Sequence, residues 1–105
     1  MKQVYLILLL LPLVASAADA DFTLVIKDHR FQPSELNVPA GKKIKLLIDN
    51  KDTTPEEFES HSLNREKVIA GNSTAIIYIG PLESGRYSFY GEFNEATAQG
   101  AIIAK

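Results

Sequence analysis

The chain of 105 residues contains no cysteine. That excludes thiol nucleophiles, thiolate metal sites, iron–sulfur clusters and disulfides, so packing alone must hold the fold. Its single methionine is Met1, which leaves no thioether in the body of the chain. Basic residues are not in excess: 11 Lys and Arg stand against 13 Asp and Glu. No basic patch or stripe is present to suit nucleic acid or an anionic membrane. There is no G-x-S-x-G elbow for a serine hydrolase and no glycine-rich phosphate loop. Linkers, internal repeats and low-complexity tracts are likewise missing, as expected for one domain.

The first stretch has its own character. Lys2 precedes the apolar run Leu6 to Val14, and Ala15-Ser16-Ala17 follows as a small-residue cleavage signal. This pattern predicts a secretory signal peptide over residues 1–17 and an exported, periplasmic protein. The run falls short of the roughly 20 apolar residues that span a bilayer. Removing it takes Lys2 and leaves 88 residues, 18–105, with 10 basic and 13 acidic side chains and a net charge of −3.

Short alternating segments fill that remainder. Phe22, Leu24 and Ile26 form one apolar set, Ile44, Leu46 and Ile48 a second, Ala75, Ile77 and Ile79 a third, and Tyr87 with Phe89 a fourth. Period two over such lengths predicts half-buried strands, with Gly100 to Ala104 as a terminal one. Pro39-Ala40-Gly41, the polar run Asp49 to Pro55, Ala70 to Ser73 and Gly80 to Gly85 carry turn chemistry. One helical turn is expected within Ser62 to Glu66. Phe31, Phe58 and Phe89 are assigned to the core. Tyr87, two residues after Gly85, is expected to tuck inward and bond its hydroxyl to nearby backbone. The class is all-β, a sandwich or barrel.

Several motifs in order carry a family resemblance. Phe31-x-Pro33-x-x-Leu36-x-Val38-x-Ala40-Gly41, then Asp49-Asn50-Lys51-Asp52, then Gly85-x-Tyr87-x-Phe89-Tyr90-Gly91 and Gly100-Ala101-Ile102-Ile103 resemble a cupredoxin domain. The fold this implies is a cupredoxin-like Greek-key β-sandwich. A blue-copper member places a histidine in its first loop and Cys-x2-His-x4-Met in its last, giving a trigonal His2Cys site with a weak axial thioether. Laid on this chain, the motif falls on Gly91, Asn94 and Gln99. The blue-copper chemistry therefore does not carry over.

A narrower resemblance lies in Pro55 to Val68, Gly80-Pro81-Leu82 and Gly91-Glu92-Phe93. These are similar to the periplasmic cupredoxin-like proteins of bacterial iron-uptake operons and to the cupredoxin-like part of the iron-uptake lipoprotein family. The resemblance implies copper or iron as the metal, and a membrane iron permease or another periplasmic protein as partner. In that subfamily a histidine commonly follows Gly-Glu-Phe; Asn94 stands there instead.

The candidate metal ligands are Glu57, Glu59 and His61 in the first loop and Glu92 and Asn94 in the last. In an extended segment residues 57, 59 and 61 project to one side and Phe58 and Ser60 to the other. Imidazole and carboxylate donors suit Cu(II), iron, manganese or zinc, and nothing soft is present for Cu(I). Acidic runs such as Glu56 to Glu59 are also common as plain solvated loops. His29 reads as a surface residue in a charged turn, and Glu66 as a surface ion-pair partner. Two rival functions follow: a metal-free cupredoxin-like module that docks onto a permease, and a copper-dependent ferrous iron oxidase.

Overall fold

The computed structural model describes residues 19–105. The signal-peptide expectation, and with it the 17/18 boundary, lies outside the described residues. Nine strands follow in order: β1 Phe22–Lys27, β2 Arg30–Gln32, β3 Glu35–Val38, β4 Ile44–Asn50, β5 Glu56–Ser60, β6 Arg65–Ile69, β7 Ser73–Ile79, β8 Gly85–Gly91 and β9 Gln99–Ala104. They form two sheets, one of four strands in the order β2-β1-β4-β7 and one of five in the order β3-β9-β8-β5-β6. β1 lies parallel to β4 and β3 parallel to β9, and the other pairs are antiparallel. The all-β sandwich expected from the sequence is the fold observed.

Alternation places the core. Leu24 and Ile26 from β1, Ile44, Leu46 and Ile48 from β4, and Ile77 and Ile79 from β7 are buried from one sheet, while Phe58, Phe89 and Ile102 are buried from the other. Phe31 meets Phe89 edge-on, with ring centroids 4.9 Å apart, and Phe58 stacks on Phe89 at 5.0 Å. Such pairs add about 0.5–1.5 kcal/mol each beyond the area they bury. This aromatic cluster lies directly beneath the strands that carry the candidate ligands. Tyr87 packs against the core and its hydroxyl donates to the Glu83 carbonyl at 2.8 Å. It fills the structural role expected of it.

The sequence reading differs from the structure around β5. Asp49 and Asn50 belong to β4, not to the loop. Ser62 to Glu66 holds no helical turn: residues 61–64 make the turn of a β5–β6 hairpin, and β6 starts at Arg65. Leu63 is buried and its N–H donates to Ser60 Oγ, which favours the tight hairpin over a helix. Asn50, fully buried, fixes the preceding loop. Its Nδ2 donates to the carbonyls of Thr54, Ile69 and Ala70, and its Oδ1 accepts from the Asp52 N–H. Chain direction at the start of β5 is thereby set by one side chain.

Candidate metal site

β5 enters the five-stranded sheet between β6 and β8. Because Phe58 faces inward, Glu57 and Glu59 face outward from the sandwich, both half-buried. Glu59 pairs across the ladder with Tyr90 of β8 and with Glu66 of β6, so these three side chains share the outer face. β8 ends at Gly91, and a short 3-10 turn, Glu92–Asn94, carries Glu92 toward β5. The result is a cluster in which one carboxylate oxygen each from Glu57, Glu59 and Glu92 lies within 4.8 Å of the others.

The cluster carries an electrostatic penalty. A hydrogen bond shared with Glu92 pushes Glu57 up to about 7, helped by burial and by repulsion from Glu92, Glu66 and Glu59. Glu59 is raised first by burial and then by Glu66 and Glu92, against a lowering pull from His61. The Tyr90 phenol is raised by burial and by Glu59, Glu92, Glu95 and Glu57, so it too faces the negative charge. Among the described residues the ion pairs are Lys51–Asp49 and Arg86–Glu35, and neither touches the cluster. One Glu59 oxygen, Oε2, is buried without a hydrogen-bond partner.

His61 stands beside this cluster in the hairpin turn. Its Nε2 lies 3.3 Å from the Tyr90 hydroxyl, and with Glu59, Asn64 and Glu66 it lines a cleft of about 330 Å³. Asn94 faces the other way, into the protein, where its Nδ2 donates to Glu56 Oε2 at 2.7 Å. His29 lies exposed in a turn, its backbone N–H donating to Asp52. The structure thus gathers Glu57, Glu59 and Glu92, sets His61 alongside and turns Asn94 inward.

Sequence reasoning missed Glu56. It is only 1% exposed, and its carboxylate accepts three N–H bonds: from the Glu57 backbone at 3.0 Å, the Phe93 backbone at 2.9 Å and the Asn94 side chain. The signal was the parity of β5. Glu56 lies two residues from Phe58 and so shares its inward face.

Glu56 also decides whether a blue-copper centre fits. The positions of its last-loop ligands hold Gly91, Asn94 and Gln99, without thiol, imidazole or thioether. A Cβ added at Gly91 would lie 2.6 Å from Glu56 Cδ and 2.7 Å from both Glu56 Oε2 and Ala98 Cβ. The space is taken by a carboxylate, and the donor set does not fit that centre.

Comparison with known proteins agrees with this architecture. Residues 3–104 match the family described as Cupredoxin-like domain. The uncharacterized protein RP394 of Rickettsia prowazekii (strain Madrid E) is 48% identical over 80 residues, which cover 76% of this chain and 64% of that protein. The match thus spans just under two thirds of that relative's length. Among solved structures, an amicyanin variant in the Cu(I) form is similar with a TM-score of 0.70 and 16% identity, covering 88% of this chain and 89% of that one. Amicyanin from Paracoccus versutus gives 0.66 at 16% identity over 86% and 85%. A purple cupredoxin from Nitrosopumilus maritimus gives 0.62 at 17% identity over 81% and 100%. At these identities the likeness is one of fold.

Proposed function

The chain belongs to the cupredoxin-like domain family, and from that premise we propose that it is an exported, periplasmic metal-binding protein of iron uptake. Its binding site is the carboxylate cluster on the outer sheet face, with copper or iron as the metal. The observation that carries this reading is the convergence of Glu57, Glu59 and Glu92 oxygens within 4.8 Å, with no cationic side chain paired to them among the described residues. Metal–oxygen bonds of about 2.0–2.6 Å let oxygens on opposite sides of one ion sit about 4–5 Å apart. A cation there would relieve the repulsion that raises Glu57 and Glu59. The oxygen donors, with His61 as a neighbouring imidazole, favour iron and Cu(II) over Cu(I). A membrane iron permease, or another periplasmic protein of the same system, is the partner that would receive the ion.

Titration calorimetry with Fe(II) under anaerobic conditions, and with Cu(II), tests the site. Wild type should bind one ion, and Glu57→Gln and Glu92→Gln should each weaken binding at least about tenfold, the loss of roughly one charge-assisted contact. Wild type that takes up neither ion would remove this function. The docking module would then take its place, supported by Phe93, which is 52% exposed beside Glu92 and Glu95.

A further inference from the structure

Glu56 supplies no ligand to the site just described, yet among the described residues it is one of the most deeply buried polar side chains. A carboxylate in that position has to be held by donors, and each of its three donors is informative. The Glu57 N–H belongs to its own strand. The Phe93 N–H and the Asn94 amide belong to the closing loop, 37 and 38 residues away in sequence. We propose that the Glu56 carboxylate stands where copper-binding members of the fold hold their metal, so that this end of the sandwich is a copper site whose ion has been replaced by a side chain.

Three observations converge on this. Glu56 immediately precedes Glu57, Glu59 and His61, the candidate ligands the sequence places in the first loop. Its carboxylate reaches Gly91 and Asn94, the two positions on which the cysteine and histidine of the last-loop motif fall. The volume that a side chain at position 91 would need overlaps the volume the Glu56 carboxylate fills, so the carboxylate would have to leave its place for one to fit. A metal ion ties a first loop to a last loop by ligand bonds. Here the same two segments are tied by hydrogen bonds to one carboxylate, which needs no ion.

The inference stands apart from the surface cluster, and its test does not use that cluster. Ala98 Cβ crowds position 91 as closely as Glu56 does, so the designed chains carry Ala98→Gly. Glu56→His, Gly91→Cys, Asn94→His and Ala98→Gly together restore two imidazoles and a thiolate, and Gln99 is an acceptable weak axial donor. With Cu(II) this chain should show an intense copper–thiolate absorption in the visible, and its unfolding midpoint should rise on adding copper. The same chain with Glu56 retained should show that band at least tenfold weaker. A folded four-site variant that binds Cu(II) without the band, or an equal band with Glu56 kept, overturns the proposal. Should the four-site variant fail to fold, a stability cycle of Glu56→Ala and Asn94→Ala decides. Glu56→Ala alone should produce most of the loss seen in the double variant, because it removes the acceptor of all three donors, Asn94 included. Strict additivity of the two overturns the proposal.

Discussion

Asn94 Nδ2 donates to Glu56 Oε2 at 2.7 Å, across 38 residues of chain and beneath the 3-10 turn that carries Glu92. The amide is a donor matched to a buried acceptor. Asn94→Asp keeps the shape but sets one carboxylate against another away from water. Asn94→Ala only removes the donor. A buried acceptor left unpaired costs about 1–3 kcal/mol, and more when a charge is involved. Urea unfolding at pH 7 should therefore show Asn94→Ala destabilised within that range and Asn94→Asp destabilised further. An aspartate variant as stable as wild type would mean that residue 94 does not face Glu56.

Glu56 also governs the surface cluster at one remove. Its Oε1 accepts the backbone N–H of Glu57 and of Phe93, each a proposed ligand or the immediate neighbour of one. Glutamine in its place keeps an acceptor for both N–H groups, and alanine keeps none. Glu56→Ala should weaken metal binding at the surface cluster by at least about tenfold, or 1.4 kcal/mol. Glu56→Gln should stay within about threefold of wild type, because ligand placement depends on the acceptor and not on the charge. Calorimetric titration of the two variants separates positioning from loss of fold, and circular dichroism checks that both are folded.

What could be read from the sequence follows the chemistry of each strand. β1, β4, β7, β8 and β9 place apolar residues on their inward faces, and simple alternation finds them. β5 does not: its inward residues are Glu56, Phe58 and Ser60, and its outward ones are two more glutamates. The inward polar groups are tolerated because the Glu56 carboxylate meets three N–H donors and the Ser60 hydroxyl donates to the Ser88 carbonyl. Composition cannot show such satisfaction, since the partners of Glu56 come mostly from the far end of the chain. β6 is exposed along most of its length and leaves no apolar period to detect. The shared face of Glu57 and Glu59 was legible from spacing alone, and the arrival of Glu92 followed from the resemblance. The inward turn of Asn94 was not legible, because it depends on the burial of Glu56.

His61 sits at the border of the cluster, and its variant distinguishes metals. Its Nε2 approaches the Tyr90 hydroxyl, and its ring lies 6.1 Å from the Tyr90 ring. Imidazole adds more to Cu(II) affinity than to that of Mn(II) or Fe(II). His61→Ala should therefore weaken Cu(II) binding by about tenfold or more and Mn(II) binding by less than about threefold, the difference expected when one nitrogen donor is lost from an oxygen-rich site. His29→Ala should change neither, since that ring points at Thr54 away from the cluster. Equal losses for both metals in His61→Ala would place the imidazole outside the coordination sphere.

The raised Glu57 links binding to pH with a definite sign. Its ordinary value is 4.5 and its folded value about 7, raised first by the hydrogen bond with Glu92, then by burial and by the charges of Glu92, Glu66 and Glu59. A group that holds its proton more tightly when folded stabilises the fold fully below its unfolded value, and that contribution is lost as pH rises through the folded value. Metal-free protein should therefore lose stability between about pH 4.5 and 7. Asp52 acts in the opposite sense: the His29 N–H lowers it, so its contribution is present above the ordinary carboxyl range and is lost only in acid. Metal binding requires the ionised carboxylates, so affinity should climb as pH rises toward 7 and then level off, with a proton released on binding at pH 6. Glu57→Gln should flatten the stability profile between pH 4.5 and 7 and remove most of that proton release. Calorimetry in two buffers of different ionisation enthalpy counts the protons directly. A metal-bound wild type that releases none at pH 6 would show that the ion binds somewhere other than at Glu57 and Glu92, and a Glu57→Gln profile that still falls as wild type does would show that another group carries the pH dependence.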